Sequence, residues 1–227
     1  MSAGVGLLKA SVTTGAFSMS DVILSGRPTA VVFDIGRVLY DWNLRYLFEQ
    51  LITDSAQLEW FLANVVTEQW HFESDGGRPL ADMLPERMAS FPEHRALIEA
   101  YSTRFNETLR PMPATHELVR RLAADGVPLY GLTNFGAEFW AGFRPTAPLF
   151  DLFADVVVSG QERCAKPDSH IYALAEARWG RVPADLFFTD DNPANVAAAR
   201  DRGWQAHLFT GADALESQLV EAGLLKS

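Results

Sequence analysis

Cysteine is nearly absent from this chain. Cys164 is the only cysteine among 227 residues, so no disulfide can form within the chain, and a reducing compartment fits this composition. The five histidines are scattered, and no pair has the spacing of metal ligands, which argues against a zinc site. No apolar run approaches the length of a membrane-spanning helix. These absences predict a cytoplasmic protein that does not enter a membrane.

Positive charge is also scarce. The chain has 19 Lys and Arg residues against 29 Asp and Glu residues, a formal net charge of -10. An acidic surface argues against nucleic acid or anionic lipid as the main partner. A few local cations are still enough to hold one phosphate, so a phosphorylated metabolite stays open. The hydrophobic share of 48% supports one sizeable core with room for a smaller subdomain.

The first chemically informative stretch follows a small and polar N-terminal arm. Residues 1–27 contain no apolar core of signal-peptide length, and we predict that they are disordered or loosely packed. Ala30 to Phe33 is an apolar run typical of a strand buried on both faces. Asp34 follows directly and Gly36 turns the chain, which places the carboxylate at the sheet edge where open α/β folds bind ligands. Taken alone, Asp34 fits a plain capping role equally well.

The rest of the chain divides into a helical segment and a βα alternation. Apolar residues at helical spacing predict helices over residues 44–109, with no convincing strand, and we interpret this segment as a small helical cap inserted after the first strand. Residues 28–43 and 110–227 form the predicted core. Its strands alternate with helices, so the predicted fold class is α/β, a Rossmann-like parallel sheet of about five strands with helices on both faces. The later strands are predicted at residues 128–132, 155–159, 186–189 and 205–209.

Polar residues of particular types follow the predicted strands. Thr133 and Asn134 follow one strand, Lys166 lies in the loop after the next, and Asp190 and Asp191 follow a third. Because parallel strands place their carboxyl ends at one edge of a sheet, we expect these side chains to converge on Asp34.

The residue types indicate the chemistry of this cluster. Carboxylates buried together without partners are costly, so they require a cation, and oxygen ligands without His or Cys suit Mg²⁺. A hydroxyl, an amide and an ammonium beside a metal suit the oxygens of a phosphoryl group. A neighbouring carboxylate can attack phosphorus. The alternative is a purely structural ion pair between Lys166 and Asp191 under a loop, and it leaves Thr133 and Asn134 unexplained.

These segments resemble the four motifs of the haloacid dehalogenase superfamily of aspartate-nucleophile hydrolases. The resemblance covers about residues 28 to 225, and the helical insert lies where the family has its cap. Within the superfamily, the chain is most similar to the branch of bacterial sugar-phosphate phosphatases of the glucose-1-phosphate phosphatase type. The matching segments, in motif order, are Phe33 to Leu39, Leu132 to Asn134, Lys166 to Asp168, and Phe188 to Asn195.

The resemblance implies a Mg²⁺-dependent phosphatase that hydrolyses a small phosphorylated metabolite, for this branch a sugar phosphate, through an aspartyl-phosphate on Asp34. It implies Asp34 and Lys166 as catalytic residues and a monomer or homodimer as the working form. The implied phosphoryl ligands are Thr133, Asn134 and Lys166. The implied metal ligands are Asp34, the Gly36 carbonyl and Asp191, with Asp190 in support.

One position departs from the family pattern. The second residue after the nucleophile, usually an Asp that acts as general acid and base, is Gly36 here. The sugar-phosphate branch shares this feature, so the change does not imply inactivity. His71 in the insert is our predicted substitute, because the ordinary pKa of imidazole suits neutral pH. Its alternative is a surface residue.

The sequence is also compatible with two other functions, and it offers several candidate residues for the substrate pocket. A 2-haloacid dehalogenase would use the same Asp nucleophile without Mg²⁺, and a non-catalytic member would bind a metabolite or a protein, which Gly36 favours. Substrate choice should depend on the insert. The candidate specificity residues of the insert are Trp70, His71, Asp75 and Arg78. The alternative role of Trp70 is core packing, and that of Arg78 is a solvated surface charge. Asp41, Trp42 and Asn43 are candidates for a hinge or pocket wall.

Overall fold

The structure is a computed structural model that describes residues 26–226. The predicted loose arm, residues 1–27, lies outside the described residues except for its last two positions. Among the described residues, no helix is long and apolar enough to cross a membrane.

A five-stranded parallel sheet forms the centre of the molecule. Its strand order is β5-β4-β1-β6-β7, and all four residues of the middle strand are fully buried. Phe33 at the end of this strand pairs with Gly131 on one side and Thr189 on the other, so three strand ends meet at one edge. The strands are β1 (Ala30–Phe33), β4 (Leu129–Thr133), β5 (Asp155–Val158), β6 (Leu186–Asp190) and β7 (Gln205–Leu208).

Helices cover both faces of this sheet, which confirms the predicted fold class. Alternate residues of a strand point to opposite faces. Val31 and Phe33 accordingly join the larger apolar core, with residues of α6 and α11, whereas Ala30 and Val32 join a second core with residues of α9 and α10. The helices of this part are α6 (Pro113–Ala124), α7 (Ala137–Phe143), α8 (Ser159–Glu162), α9 (Ser169–Trp179), α10 (Pro193–Asp201) and α11 (Ala212–Glu221).

A helical insert follows the first strand, as predicted, but it is joined to the core by a feature that the sequence analysis missed. Strands β2 (Tyr40–Trp42) and β3 (Leu109–Pro111) pair antiparallel, so the predicted absence of a strand in residues 44–109 is wrong at Leu109. This short ribbon brings the two ends of the insert together. The insert helices are α1 (Arg45–Phe48), α2 (Ser55–Asn64), α3 (Glu68–Asp75), α4 (Leu80–Ser90) and α5 (Arg95–Thr103).

Helix α3 packs directly on loops at the carboxyl edge of the sheet. The Ser159 hydroxyl donates a hydrogen bond to the backbone carbonyl of Asp75 at 2.5 Å. The rings of Phe105 and Phe139 stack at 3.9 Å between centroids, which joins the insert to α7. The backbone N–H of Leu80 donates to the Glu138 carboxylate at 3.0 Å. These contacts hold the insert over the ends of β1 and β4.

Candidate active site

Asp34 begins the site, directly after the middle strand. Its backbone N–H donates to the Thr189 carbonyl at 2.9 Å, which extends the sheet pairing by one residue and fixes the backbone there. The Asp34 Oδ1 accepts from the Ile35 N–H at 2.7 Å. The carboxylate is thus held at the sheet edge, buried with 7% of the residue exposed, and it is no simple helix cap.

The ammonium group of Lys166 joins three parts of the site. It lies 2.8 Å from Asp34 Oδ1 and 2.7 Å from Asp190 Oδ2, and it donates to the Leu132 carbonyl at 2.7 Å. Its side chain is fully buried. Burial opposes its charge, but the carboxylates of Asp190 and Asp34 outweigh that effect and raise the pKa of Lys166. The group is therefore a fixed cation beside the predicted nucleophile.

Asn134 holds the Lys166 loop against the end of β4. The Lys166 N–H donates to Asn134 Oδ1 at 2.8 Å, and Asn134 Nδ2 donates to the Lys166 carbonyl at 2.9 Å. This reciprocal pair explains how a loop residue far along the chain reaches the middle of the sheet. Thr133, by contrast, is fully buried and is not among the residues that line the site cavity.

Asp190 and Asp191 are neighbours in sequence but have different surroundings. Asp190 is fully buried, and its oxygens accept hydrogen bonds from Lys166, from the Asn192 N–H at 2.8 Å and from Asn195 Nδ2 at 3.0 and 3.1 Å. Asp191 is half-buried and lines the cavity. One carboxylate oxygen from each of Asp34, Asp190 and Asp191 lies within 4.8 Å of the others.

Burial and mutual repulsion raise the pKa of two of these carboxyl groups. The pKa of Asp34 is raised to about 7, because burial raises it more than Lys166 lowers it, and the charges of Asp190 and Asp191 add smaller increases. Burial, followed by the charge of Asp190, also raises the pKa of Asp191. One lysine does not offset three carboxylates, so the cluster has room for another positive charge.

A cavity of about 390 Å³ opens onto this cluster. Asp34, Asn134, Lys166 and Asp191 form its polar side. The apolar side of the cavity comes from the ribbon of β2 and β3, from the insert and from the loop after β4. These parts contribute Trp42, His71, Phe72, Phe105, Leu109 and Phe135.

Comparison of the chain with protein-family models identifies its family. A family model described as haloacid dehalogenase-like hydrolase matches residues 28–203. The chain belongs to the haloacid dehalogenase-like hydrolases. The predicted superfamily and hydrolase class are confirmed, whereas the sugar-phosphate branch stays a prediction.

Two curated relatives differ in their chemistry. The chain is 26% identical over 174 residues to the sesquiterpene phosphatase astK of Aspergillus oryzae, covering 77% of this chain and 86% of that protein. It is 31% identical over 112 residues to an (S)-2-haloacid dehalogenase of Pseudomonas putida, covering 49% of this chain and 47% of that protein.

A solved structure shares the fold. It is a haloacid dehalogenase family enzyme from Bacteroides thetaiotaomicron, a wild-type protein in complex with magnesium and inorganic phosphate. The TM-score is 0.62 at 19% identity, over 79% of this chain and 93% of that chain.

In this haloacid dehalogenase-like hydrolase, His71 does not have the properties that the sequence analysis expected. It is buried, with Trp42 stacked at 4.8 Å and Phe105 at 5.4 Å between ring centroids. Burial lowers the pKa of His71 to about 3. This lowered pKa disfavours a cationic imidazole at neutral pH and argues against His71 as the proton donor. The alternative of a surface residue is wrong, because His71 is 4% exposed.

Asp75 is the cavity residue whose importance the sequence understated. It ends α3, lines the cavity and is 5% exposed. Burial raises its pKa to about 7, although the Gly136 N–H and Lys166 oppose this effect. Arg37, which sequence reasoning did not select, also lines the cavity. Only its place two residues before Leu39 in the first motif could have marked it.

The other insert candidates have structural roles. Trp70 is buried, with the Arg87 guanidinium 4.8 Å from its ring. Arg78 pairs with Glu73 at 2.5 Å and with Glu86, and neither Trp70 nor Arg78 lines the cavity.

The predicted hinge residues have separate surroundings. Asp41 accepts a hydrogen bond from the Tyr46 hydroxyl, and Asn43 Oδ1 accepts from the Arg45 N–H at 2.9 Å. Trp42 lines the cavity as a wall residue.

Proposed function

We propose that this chain is a Mg²⁺-dependent phosphatase that hydrolyses a small phosphate monoester through an aspartyl-phosphate on Asp34. The observation that carries the proposal is the Asp34 carboxylate on a cavity, 2.8 Å from a fully buried lysine ammonium and clustered with two further carboxylates. A nucleophile, a fixed cation and a set of hard oxygen donors are what transfer of a phosphoryl group requires.

The residues divide the reaction between them. An Asp34 oxygen attacks phosphorus, the bond from phosphorus to the ester oxygen breaks, and the ester oxygen gains a proton from an acid and leaves as an alcohol. Water then attacks phosphorus and loses a proton, the bond from phosphorus to Asp34 breaks, and phosphate is released. Lys166 neutralises charge on Asp34 and on the phosphoryl oxygens. Asn134 acts mainly by holding Lys166, since both polar atoms of its side chain bind backbone groups. Thr133 stays a predicted phosphoryl ligand.

The donor set fits Mg²⁺, which prefers oxygen ligands. Asp34, Asp191 and the Gly36 carbonyl would hold the ion, whereas Asp190 would hold Lys166, because its oxygens already accept hydrogen bonds from protein donors. When bound, Mg²⁺ neutralises charge on the phosphoryl oxygens. The magnesium and phosphate bound by the structural neighbour from Bacteroides thetaiotaomicron support this proposal.

The cavity favours an ester with an apolar organic group. Its walls carry Trp42, Phe72, Phe105 and Phe135, and the ring of Phe72 is 45% exposed, so it is accessible to a substrate in the cavity. The relationship to a sesquiterpene phosphatase supports a prenyl-like group in this position. We therefore propose a prenyl-like monophosphate rather than the sugar phosphate implied by the sequence resemblance.

The test is phosphate release with Mg²⁺ from a prenyl monophosphate and from a hexose 1-phosphate. We expect kcat/KM for the prenyl ester to be higher by at least about tenfold, since burial of each methylene contributes about 0.8 kcal/mol. Asp34→Asn should lower turnover by several orders of magnitude, and the exposed Asp201→Asn variant serves as its matched control.

Each other outcome selects a different function. A preference for the hexose ester would favour the sugar-phosphate branch. Release of chloride from a 2-haloacid in the absence of Mg²⁺, without phosphatase activity, would favour a dehalogenase. This alternative is supported by the similarity of about half of the chain to an (S)-2-haloacid dehalogenase. Turnover by the Asp34→Asn variant at a near-normal rate would refute the nucleophile.

A further inference from the structure

We propose that the Asp75 carboxyl group, at the end of α3, is the general acid that protonates the departing ester oxygen. This role rests on the phosphatase activity proposed above. It concerns a step for which the chain has no residue at the usual place, because Gly36 has no side chain.

The placement of Asp75 is the first support. Asp75 lines the same cavity as Asp34 but comes from the insert, whereas Asp34 comes from the central sheet. Its backbone is held by the hydrogen bond from Ser159, and its side chain therefore faces the cavity from an anchored turn. A group held in this way can meet an oxygen that leaves from the phosphorus attacked by Asp34.

The surroundings of Asp75 favour a protonated carboxyl group. Its Oδ1 is buried without a hydrogen-bond partner, which is costly for a charged oxygen, and burial outweighs the opposing effect of the Gly136 N–H. Burial raises the pKa of Asp75 to about 7, so the acid form is available near neutral pH. This is the range in which a general acid is most effective.

Within residues 26–226, three titratable groups face Asp75. His71 Nε2 lies 3.6 Å from Asp75 Oδ1, beyond hydrogen-bonding range, and its lowered pKa leaves it neutral. Tyr101 on α5 is also neutral, because burial raises its pKa well above the ordinary value. Lys166 is charged, but its ammonium already binds Asp34, Asp190 and a carbonyl. No described group forms a close ion pair that would hold Asp75 ionised.

The other titratable residues on the cavity have different roles. Asp34 is the nucleophile and Asp191 a proposed metal ligand. Lys166 is a fixed cation, the Arg37 guanidinium pairs with Glu68 at 3.0 Å, and neutral His71 bonds Tyr101 through Nδ1 at 2.8 Å. Among the described cavity residues, Asp75 is the acid left for the leaving oxygen.

The proton balance closes over the two steps. As Asp34 forms its bond to phosphorus, the ester oxygen departs with the electron pair of its bond and takes the proton of Asp75, giving an alcohol and the Asp75 carboxylate. This carboxylate then accepts a proton from the water that attacks the aspartyl-phosphate. Phosphate leaves, and Asp34 and protonated Asp75 are restored.

Two aromatic esters of similar size test this role. The leaving group of 4-nitrophenyl phosphate needs little protonation by a general acid, whereas the alkoxide that leaves benzyl phosphate needs it strongly. Asp75→Asn should lower kcat/KM for the benzyl ester about 10²–10⁴-fold, the usual contribution of a general acid, and for the nitrophenyl ester less than about tenfold. The exposed Asp82→Asn variant of the same insert should change neither rate. Adding Gly36→Asp to Asp75→Asn should recover benzyl turnover, since a Cβ at Gly36 meets no atom within 4 Å.

The unaltered protein offers a second readout that does not depend on the folding of a variant. The ratio of benzyl to nitrophenyl kcat/KM should fall with rising pH above about 7, because the acid form of Asp75 is lost there. The ratio cancels pH effects that both esters share.

The outcomes separate this role from the phosphatase activity itself. If the unaltered protein hydrolyses neither ester, the proposed function and this role fall together. If it hydrolyses both, an Asp75→Asn variant that loses both activities equally, or loses neither, overturns the role of Asp75 alone. A pH-independent rate ratio across pH 6 to 9, around the value of about 7 for Asp75, overturns it as well.

Discussion

Lys166 has the densest set of polar contacts in the site. The three N–H donors of its ammonium meet three acceptor oxygens, two of which belong to carboxylates at 2.7 and 2.8 Å. A buried charge is tolerated only when paired and hydrogen-bonded in this way. The same contacts that stabilise the lysine also keep two carboxylates in place, so its removal affects the fold as well as the reaction.

Lys166→Met should therefore lower both activity and stability. It keeps much of the stem volume but leaves Asp34 and Asp190 buried without their cation, a type of change that costs about 3–5 kcal/mol. Urea unfolding measures the loss, and phosphate release measures the activity. The exposed Lys226→Met variant is the matched control. A Lys166→Met protein as stable as the unaltered one would show that the buried carboxylates do not depend on Lys166.

At the scale of elements, the backbone of helix α8 lies very close to the segment that leads into α7 and to the end of α3. A Cβ at Gly160 would lie 2.5 Å from the Ala137 nitrogen, 2.8 Å from the Phe135 carbonyl oxygen and 3.0 Å from the Ser74 carbonyl oxygen. These are backbone atoms, which cannot rotate away. Glycine at this position is what allows the insert to approach the loops that carry the site.

Gly160→Ala should push these elements apart. We expect a loss of stability of about 1–3 kcal/mol, as for other overpacked sites, and lower turnover because α3 carries Asp75. Gly142→Ala is the control, since a Cβ there meets no atom within 4 Å and alanine is favoured over glycine within a helix by roughly 0.5–1 kcal/mol. Equal thermal midpoints for the two variants would contradict the close approach.

At the scale of the whole molecule, negative charge is in excess, and several carboxylates are clustered at the site. The net charge is -10, and three carboxylates lie together beside the cavity. A cation that binds only the folded state stabilises it in proportion to the logarithm of its concentration. General screening by salt stabilises an acidic protein too, so the two effects have to be separated.

Mg²⁺ should therefore raise the thermal midpoint of unfolding beyond the effect of NaCl at equal ionic strength. At 100 times its dissociation constant the stabilisation is about 2.7 kcal/mol. Asp191→Asn should abolish this specific increase, because it removes a proposed ligand. Asp82→Asn, which changes the net charge equally at an exposed position, should retain it. Identical shifts with Mg²⁺ and NaCl would contradict a specific site.

Much of the fold followed from local patterns. The apolar run before Asp34 and the alternation of strands with helices predicted the parallel sheet, because both patterns arise from burial of a strand on two faces. The ribbon of β2 and β3 was missed, because strands of three residues are too short to produce a periodic signal and depend on pairing across the insert.

The sequence by itself determined the sheet, the position of Asp34 at its edge and the approach of Lys166, since these follow from strand ends and residue types. Only the tertiary structure decided the states of the groups that the insert brings to the cavity. His71 lost its expected proton affinity and Asp75 gained one because burial shifts the pKa of a base down and that of an acid up. Burial of these residues depends on rings and backbone contributed from elsewhere in the chain, which no local pattern reports.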